Sequence, residues 1–187
     1  MIEYIGNGCL CEGGMVMGEV LIRNLEETRE RLVSEIQLLP YAKLNQKPGA
    51  DGWSIAQVCH HLFLTERTFT QAIEYGLKKD STRTRKTDPV PLVELLTDRT
   101  RKRQAPEKVV PVDTPLELPQ LFGLLKESRR LFLDMYNQLD DKTVLAEKSV
   151  KHPLFGYIPL YQWAELIYLH EARHIEQIKE IKSLINE

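Results

Sequence analysis

The sequence predicts an all-α protein, a four-helix bundle with a long crossover between the second and third helices. Four long segments carry apolar residues at helical spacing. No segment keeps strand alternation over a useful length. The stretch between the second and third patterns is long, polar and Pro-rich. A chain of 187 residues suits one domain with a sizeable core. The domain is expected over residues 18–187, after a poorly ordered leader of residues 1–17 in which Met15 or Met17 could be the natural start.

The first helix is expected from about Gly18 to Leu39, with Val20, Leu21, Leu25, Leu32, Ile36 and Leu39 as its stripe. Pro40 ends it, and "NQKPGADGW" reads as a loop with two turn signals. The second helix starts at the N-cap Ser54, with Gln57 completing a capping box. Ile55, Cys59, Leu62, Phe69 and Ile73 form its core face, and it ends near Gly76.

Residues 78–113 form the crossover, with one short helix possible in "PVPLVELLTDRTRKRQ". Ten Lys and Arg against six acids make this segment locally +4. A solvated loop is the simplest account, and a site for an anionic ligand the other. The third helix begins between Thr114 and Pro119 and runs to about Leu139, with Leu121, Leu124, Leu125, Leu131, Phe132 and Met135 as its apolar residues. "KHPLFGYIP" reads as a loop, and the fourth helix as Pro159 to Ile185. No internal repeat stands out.

Composition narrows the function classes. Hydrophobic residues are 42%, charged residues 28% and the formal net charge is -2, as in ordinary globular proteins. That balance gives no overall drive toward nucleic acid or membranes, and no aromatics interleave the basic crossover charges. No apolar run approaches the ~20 residues of a membrane span, and the N-terminus lacks a signal-peptide pattern, so the cytoplasm is the expected location. Cys9, Cys11 and Cys59 make no disulfide framework. Cys59 reads as a small buried apolar residue.

The chemistry concentrates in "LHEARHIEQIKE", residues 169–180. His170 and His174, four apart, share one helix face and can reach one metal ion. "HEARH" matches the zinc-protease pattern H-E-x-x-H, with Glu171 as the base. Helical phase instead puts Glu171 on the core stripe and the histidines on its flank, inside a bundle with no cleft for an extended peptide. A third ligand can come from His60 or His61, and periodicity does not choose between them. Three imidazoles with an open position suit Zn²⁺, Ni²⁺ or a similar metal. His152 reads as structural or exposed, and Trp53 and Trp163 as core.

Gln177 shares the flank of His174 and can orient its ring or a bound water. Glu66 and Glu171 both fall on core stripes. Each needs a partner, either an Arg or a ligand histidine, and a catalytic acid/base role is the lesser reading.

Three stretches, "DGWSIAQVCHHLFLTERTF", "DRTRKRQAPEKVVPVDTP" and "HPLFGYIPLYQWAELIYLHEARHIEQI", together resemble the DinB-like superfamily. This is a family of DNA-damage-inducible-type four-helix bundles with bacillithiol-transferase and maleylpyruvate-isomerase-like branches. The resemblance covers roughly Gly18 to Ile185. Its specific parts are the Trp-Ser start with His-Leu downstream, and the late His-x-x-x-His followed by Gln-Ile.

The resemblance implies a divalent metal held by three histidines. In the family pattern the first ligand is the His directly before Leu, which is His61 here, and the pair matches His170 and His174. It also implies, for some branches, transfer of a low-molecular-weight thiol to an electrophilic small molecule, and self-association as a homodimer. A metal-dependent hydrolase is the close variant. The non-enzymatic alternative is a metal-stabilised stress-response or binding module.

Overall fold

The computed structural model describes residues 13–79, 87, 89–97 and 104–186, with side chains from residue 18 onward. Four long helices form the bundle: α1 (Gly13–Ile36), α3 (Ile55–Lys78), α5 (Leu118–Asn137) and α7 (Leu160–Asn186). Three short ones join them: α2 (Tyr41–Asn45), α4 (Leu92–Thr97) and α6 (Val144–Glu147). α3 packs against both α5 and α7, and α7 packs also against α1.

Each long helix buries the stripe its spacing predicts, with small departures. On α1, Leu21, Leu25, Leu32 and Ile36 are buried but Val20 is exposed. α1 stops at Ile36, and Pro40 opens the short α2 instead of closing α1. A proline costs little there, because a helix's first N–H groups have no intrahelical partner. The Ser54 and Gln57 capping box forms as expected. α5 starts at Leu118 with Pro119 in its first turn, and Gln120 Oε1 accepts from the Glu117 N–H at 2.8 Å.

"KHPLFGYIP" is not a plain loop. Residues 149–159 form a hairpin of β1 (Ser149–His152) and β2 (Gly156–Pro159), paired antiparallel with His152 opposite Gly156. Gly156 adopts φ +72°, the left-handed conformation that a short hairpin connection needs. The strands are four residues each, too short for alternation to register. The hairpin packs under Gly76, where a Cβ would lie 2.5 Å from Leu160 and 2.8 Å from Val150.

The core is in two parts. One holds Leu21, Leu25, Phe69, Ile73, Phe132 and Leu160. The other holds Leu32, Ile36, Ile55, Leu62, Leu121 and Ile178. Following the chain through them gives the helix directions. α1 and α7 run from the first part to the second, while α3 and α5 run from the second to the first. α3 and α5 are therefore parallel, and the chain must travel the bundle's length between them. That is the physical reason for the long crossover. Residues 80–86, 88 and 98–103 of it, with most of its basic charges, lie outside the described residues, as do Cys9 and Cys11.

A buried layer of four charges divides the two apolar parts. Arg29 of α1 and Arg129 of α5 face Glu66 of α3 and Glu171 of α7. Arg29 Nε donates to Glu171 at 2.6 Å and one of its terminal nitrogens to Glu66 at 2.9 Å. Arg129 reverses the pattern, with Nε on Glu66 at 2.5 Å and a terminal nitrogen on Glu171 at 3.0 Å. Thr28 donates to Glu171 and Ser128 to Glu66.

The layer reveals an internal correspondence that the letters alone conceal. "LEETR" at residues 25–29 and "LKESR" at 125–129 occupy equivalent places, about an approximate twofold axis that exchanges α1 with α5 and α3 with α7. Burial pulls the Arg29 pKa down, but Glu171 and Glu66 outweigh it and raise it overall.

Candidate metal centre

α3 and α7 bring His61, His170 and His174 together beside the charged layer. One ring nitrogen of each lies within 4.8 Å of the others. His170 and His174 approach through Nε2 at 3.2 Å. Two ligands of a tetrahedral zinc, at ~2.05 Å from the ion, stand about 3.3 Å apart. That pair has zinc-like spacing, and three imidazoles are the ligand type that a borderline divalent cation takes.

The outer nitrogens explain the orientation of two rings. His61 Nδ1 faces the Val109 carbonyl at 2.7 Å, which leaves Nε2 for the centre. His174 Nδ1 faces Gln177 Oε1 at 2.7 Å, with the same result. An acceptor on the far nitrogen fixes the tautomer a metal ligand needs. Trp53 packs on the His61 ring at 5.0 Å, and Phe69 on His170 at 5.9 Å.

Burial lowers the His61 pKa, the Val109 hydrogen bond opposing and His60 reinforcing the shift. Burial also lowers His170 well below the ordinary histidine value, helped by His174, His61, Arg173 and His152. Neutral imidazoles are the form that binds metal.

His60 points elsewhere. Its Nδ1 accepts the Val112 N–H at 3.1 Å. One turn before, Gln57 Nε2 donates to the Val112 carbonyl and to Asp113. Gln57, His60 and His61 thus stitch the returning crossover, with its 3₁₀ turn Glu107–Val109, along α3. At its other end, the crossover is held to α7 by Gln162, paired with both backbone groups of Val90, and by Arg173 on the Leu96 carbonyl.

Glu66 and Glu171 lie in the charged layer, each accepting from both arginines. His152 is buried in β1, stacked on Phe155 at 4.6 Å and beside Trp163 at 4.8 Å. Trp163 is core, with Nε1 donating to the Val150 carbonyl at 3.3 Å. Cys59 is fully buried, and burial pushes its thiol up to about 12.

Two features of the site escape the sequence. Val109 acts through its backbone, which no letter announces. Thr65 is buried with its hydroxyl 3.5 Å from His61 Nε2. Its spacing of four from His61 was the available signal.

A parallel-and-antiparallel bundle with three converging imidazoles between α3 and α7 defines a helical protein with a three-histidine centre that could hold a metal ion. The chain belongs to the DinB superfamily, whose family model matches residues 24–178. It is 31% identical over 159 residues to the uncharacterised protein YuaE of Bacillus subtilis (strain 168), covering 85% of this chain and 95% of that one. The crystal structure of TT2238, a four-helix bundle protein, superposes with a TM-score of 0.58 at 18% identity, over 87% of this chain and 98% of that one. YfiT from Bacillus subtilis gives 0.61 at 18% identity, over 98% and 94%. YfiT is described as a probable metal-dependent hydrolase with an unusual four-helix bundle topology. Among the described residues, no helix is long and apolar enough to cross a membrane.

Proposed function

We propose that the protein is a metal-dependent enzyme that joins a low-molecular-weight thiol to an electrophilic small molecule. The observation that carries this is the convergence of His61, His170 and His174, with Nε2 of His61 and His174 turned inward by partners behind them. A zinc or nickel ion held by these three nitrogens would lower the pKa of a bound thiol or water. His61 and His174 are pre-oriented by Val109 and Gln177, so little ordering is left for the moment of binding.

The carboxylates favour a thiol over water as the nucleophile. Glu171 and Glu66 are committed to Arg29, Arg129, Thr28 and Ser128. Each is ion-paired with both arginines, so neither matches the unpaired glutamate base of a zinc protease. A thiol starts from a pKa of about 8.5 and needs less help to ionise. Its S–H proton passes to solvent, its sulfur lone pair forms the new bond to carbon, and the leaving group departs with the electron pair.

The test is a panel of small thiols and electrophiles with the zinc- or nickel-loaded protein. Metal-dependent loss of free thiol, abolished in His61→Ala, is the expected result. No metal-dependent turnover overturns the transferase reading. The likeness to YfiT supports a second reading, metal-dependent hydrolysis. Ester or amide cleavage without any thiol would establish that one instead.

A further inference from the structure

Between the histidines and the charged layer lies a cavity of about 10 Å³. Arg29, Glu66, Glu171 and His170 line it, with Leu62 and Ile167 in its apolar wall. A site of roughly 10–15 Å³ holds one water, provided two or more polar groups face it. This cavity meets both conditions.

His170 differs from the other two histidines. His61 has the Val109 carbonyl behind it and His174 has Gln177. Among the described residues, His170 Nδ1 has no such protein partner, while its Nε2 faces His174. His170 is also the one histidine of the three that lines the cavity. Across the cavity, the charged layer has capacity to spare. Glu171 accepts from Thr28, Arg29 and Arg129, and Glu66 from Ser128, Arg29 and Arg129. A carboxylate has about four lone-pair sites, so each keeps about one. Arg29 uses three of its five N–H donors.

We propose that one buried water in this cavity bridges His170 Nδ1 to the Arg29, Glu66 and Glu171 layer, and so positions His170 as a ligand. A water suits this place better than a direct carboxylate contact. With an ion at Nε2, His170 must carry its proton on Nδ1 and donate. Without one, the 3.2 Å contact between His170 and His174 calls for a proton between the two Nε2 atoms, and His170 Nδ1 then accepts. Water serves either case by turning over, whereas a carboxylate only accepts. Glu66 and Glu171 thereby become positioning residues acting through the water, in addition to holding the helices together. The inference deepens the metal reading of the site, and rests on it only for the affinity measurement.

The experiment begins with the metal-free protein. Magnetisation transfer between water and the Leu62 and Ile167 methyl groups should reveal one long-lived buried water near His170. A dry cavity overturns the proposal, whether or not the protein takes up metal. The second arm is Leu62→Phe, which fills the space, measured by zinc competition against a chromophoric chelator. Zinc affinity should fall about tenfold to a hundredfold while the circular dichroism is unchanged. Loss of the water signal with unchanged zinc affinity overturns the positioning role. Should Leu62→Phe fail to fold, Ile167→Phe fills the same space from α7, with the Leu62 methyls as reporter and the same two outcomes. Failure of the thiol panel would leave the water signal untouched, so the two readings fall separately.

Discussion

Arg29 and Arg129 exchange backbone contacts across the bundle. Each guanidinium donates to the carbonyl four residues before the other, Arg29 to Leu125 and Arg129 to Leu25, both at 2.5 Å. The pair closes the charged layer against α1 and α5, and each arginine also holds both glutamates. Arg129→Met should therefore leave each carboxylate without one of its three partners, and with one arginine in place of two. It is expected to cost about 3–5 kcal/mol in urea unfolding. Replacing all four charges with Leu should cost less than that single change, because no buried charge then remains unpaired.

The three histidines should differ from their neighbours in what they do to metal content. His61→Ala, His170→Ala and His174→Ala are each expected to abolish stoichiometric zinc binding by elemental analysis. Gln177→Ala keeps all three ligands and loses only the acceptor behind His174, so affinity should drop about tenfold to a hundredfold. His60→Ala should leave zinc stoichiometry intact and speed proteolysis of the crossover near Val112, its hydrogen-bond partner.

His152 makes the fold sensitive to acid. Burial lowers its pKa from 6.5 to about 4. Between those values the unfolded chain binds a proton that the folded chain refuses. Stability from this group is complete above pH 6.5 and is lost as the pH falls toward 4. His152→Phe, which keeps the stacking on Phe155 and Trp163, should flatten the loss of melting temperature over this interval.

Glu165 acts in the opposite direction. Burial pushes its carboxyl from 4.5 up to about 7. Above 4.5 the unfolded chain releases a proton that the folded chain retains, so stability declines as the pH rises through this range and levels off above 7. Glu165→Gln should raise the melting temperature at mildly alkaline pH and leave it nearly unchanged in acid.

The parts of the fold that were legible are those that repeat. The α3 stripe of Ile55, Cys59, Leu62, Phe69 and Ile73 is buried as its spacing requires, and the Ser54 cap sits where its letters put it. The hairpin was not legible, because four-residue strands offer too few alternations. The inward turn of Arg29 was hidden in the run "EETRER", whose other charges are solvated. The twofold correspondence rests on five-residue segments that share three letters, too few to rise above chance. At the site, spacing found His170 and His174, but periodicity left His60 and His61 equal. The resemblance pointed to His61, and the structure parts their roles: His61 faces His170 and His174 on α7, while the crossover returning along α3 offers it a carbonyl and offers His60 an N–H.

That carbonyl belongs to Val109, and a carbonyl cannot be mutated. Evolution can change the side chain at 109 without disturbing the His61 ring, provided the backbone keeps its course. An insertion or deletion between α4 and α5 would slide a different residue, or none, behind the ring. The acceptor behind the ligand is thus protected against substitution and vulnerable to a change of loop length, so relatives with the same three histidines but a crossover of different span would need another acceptor behind the first ring.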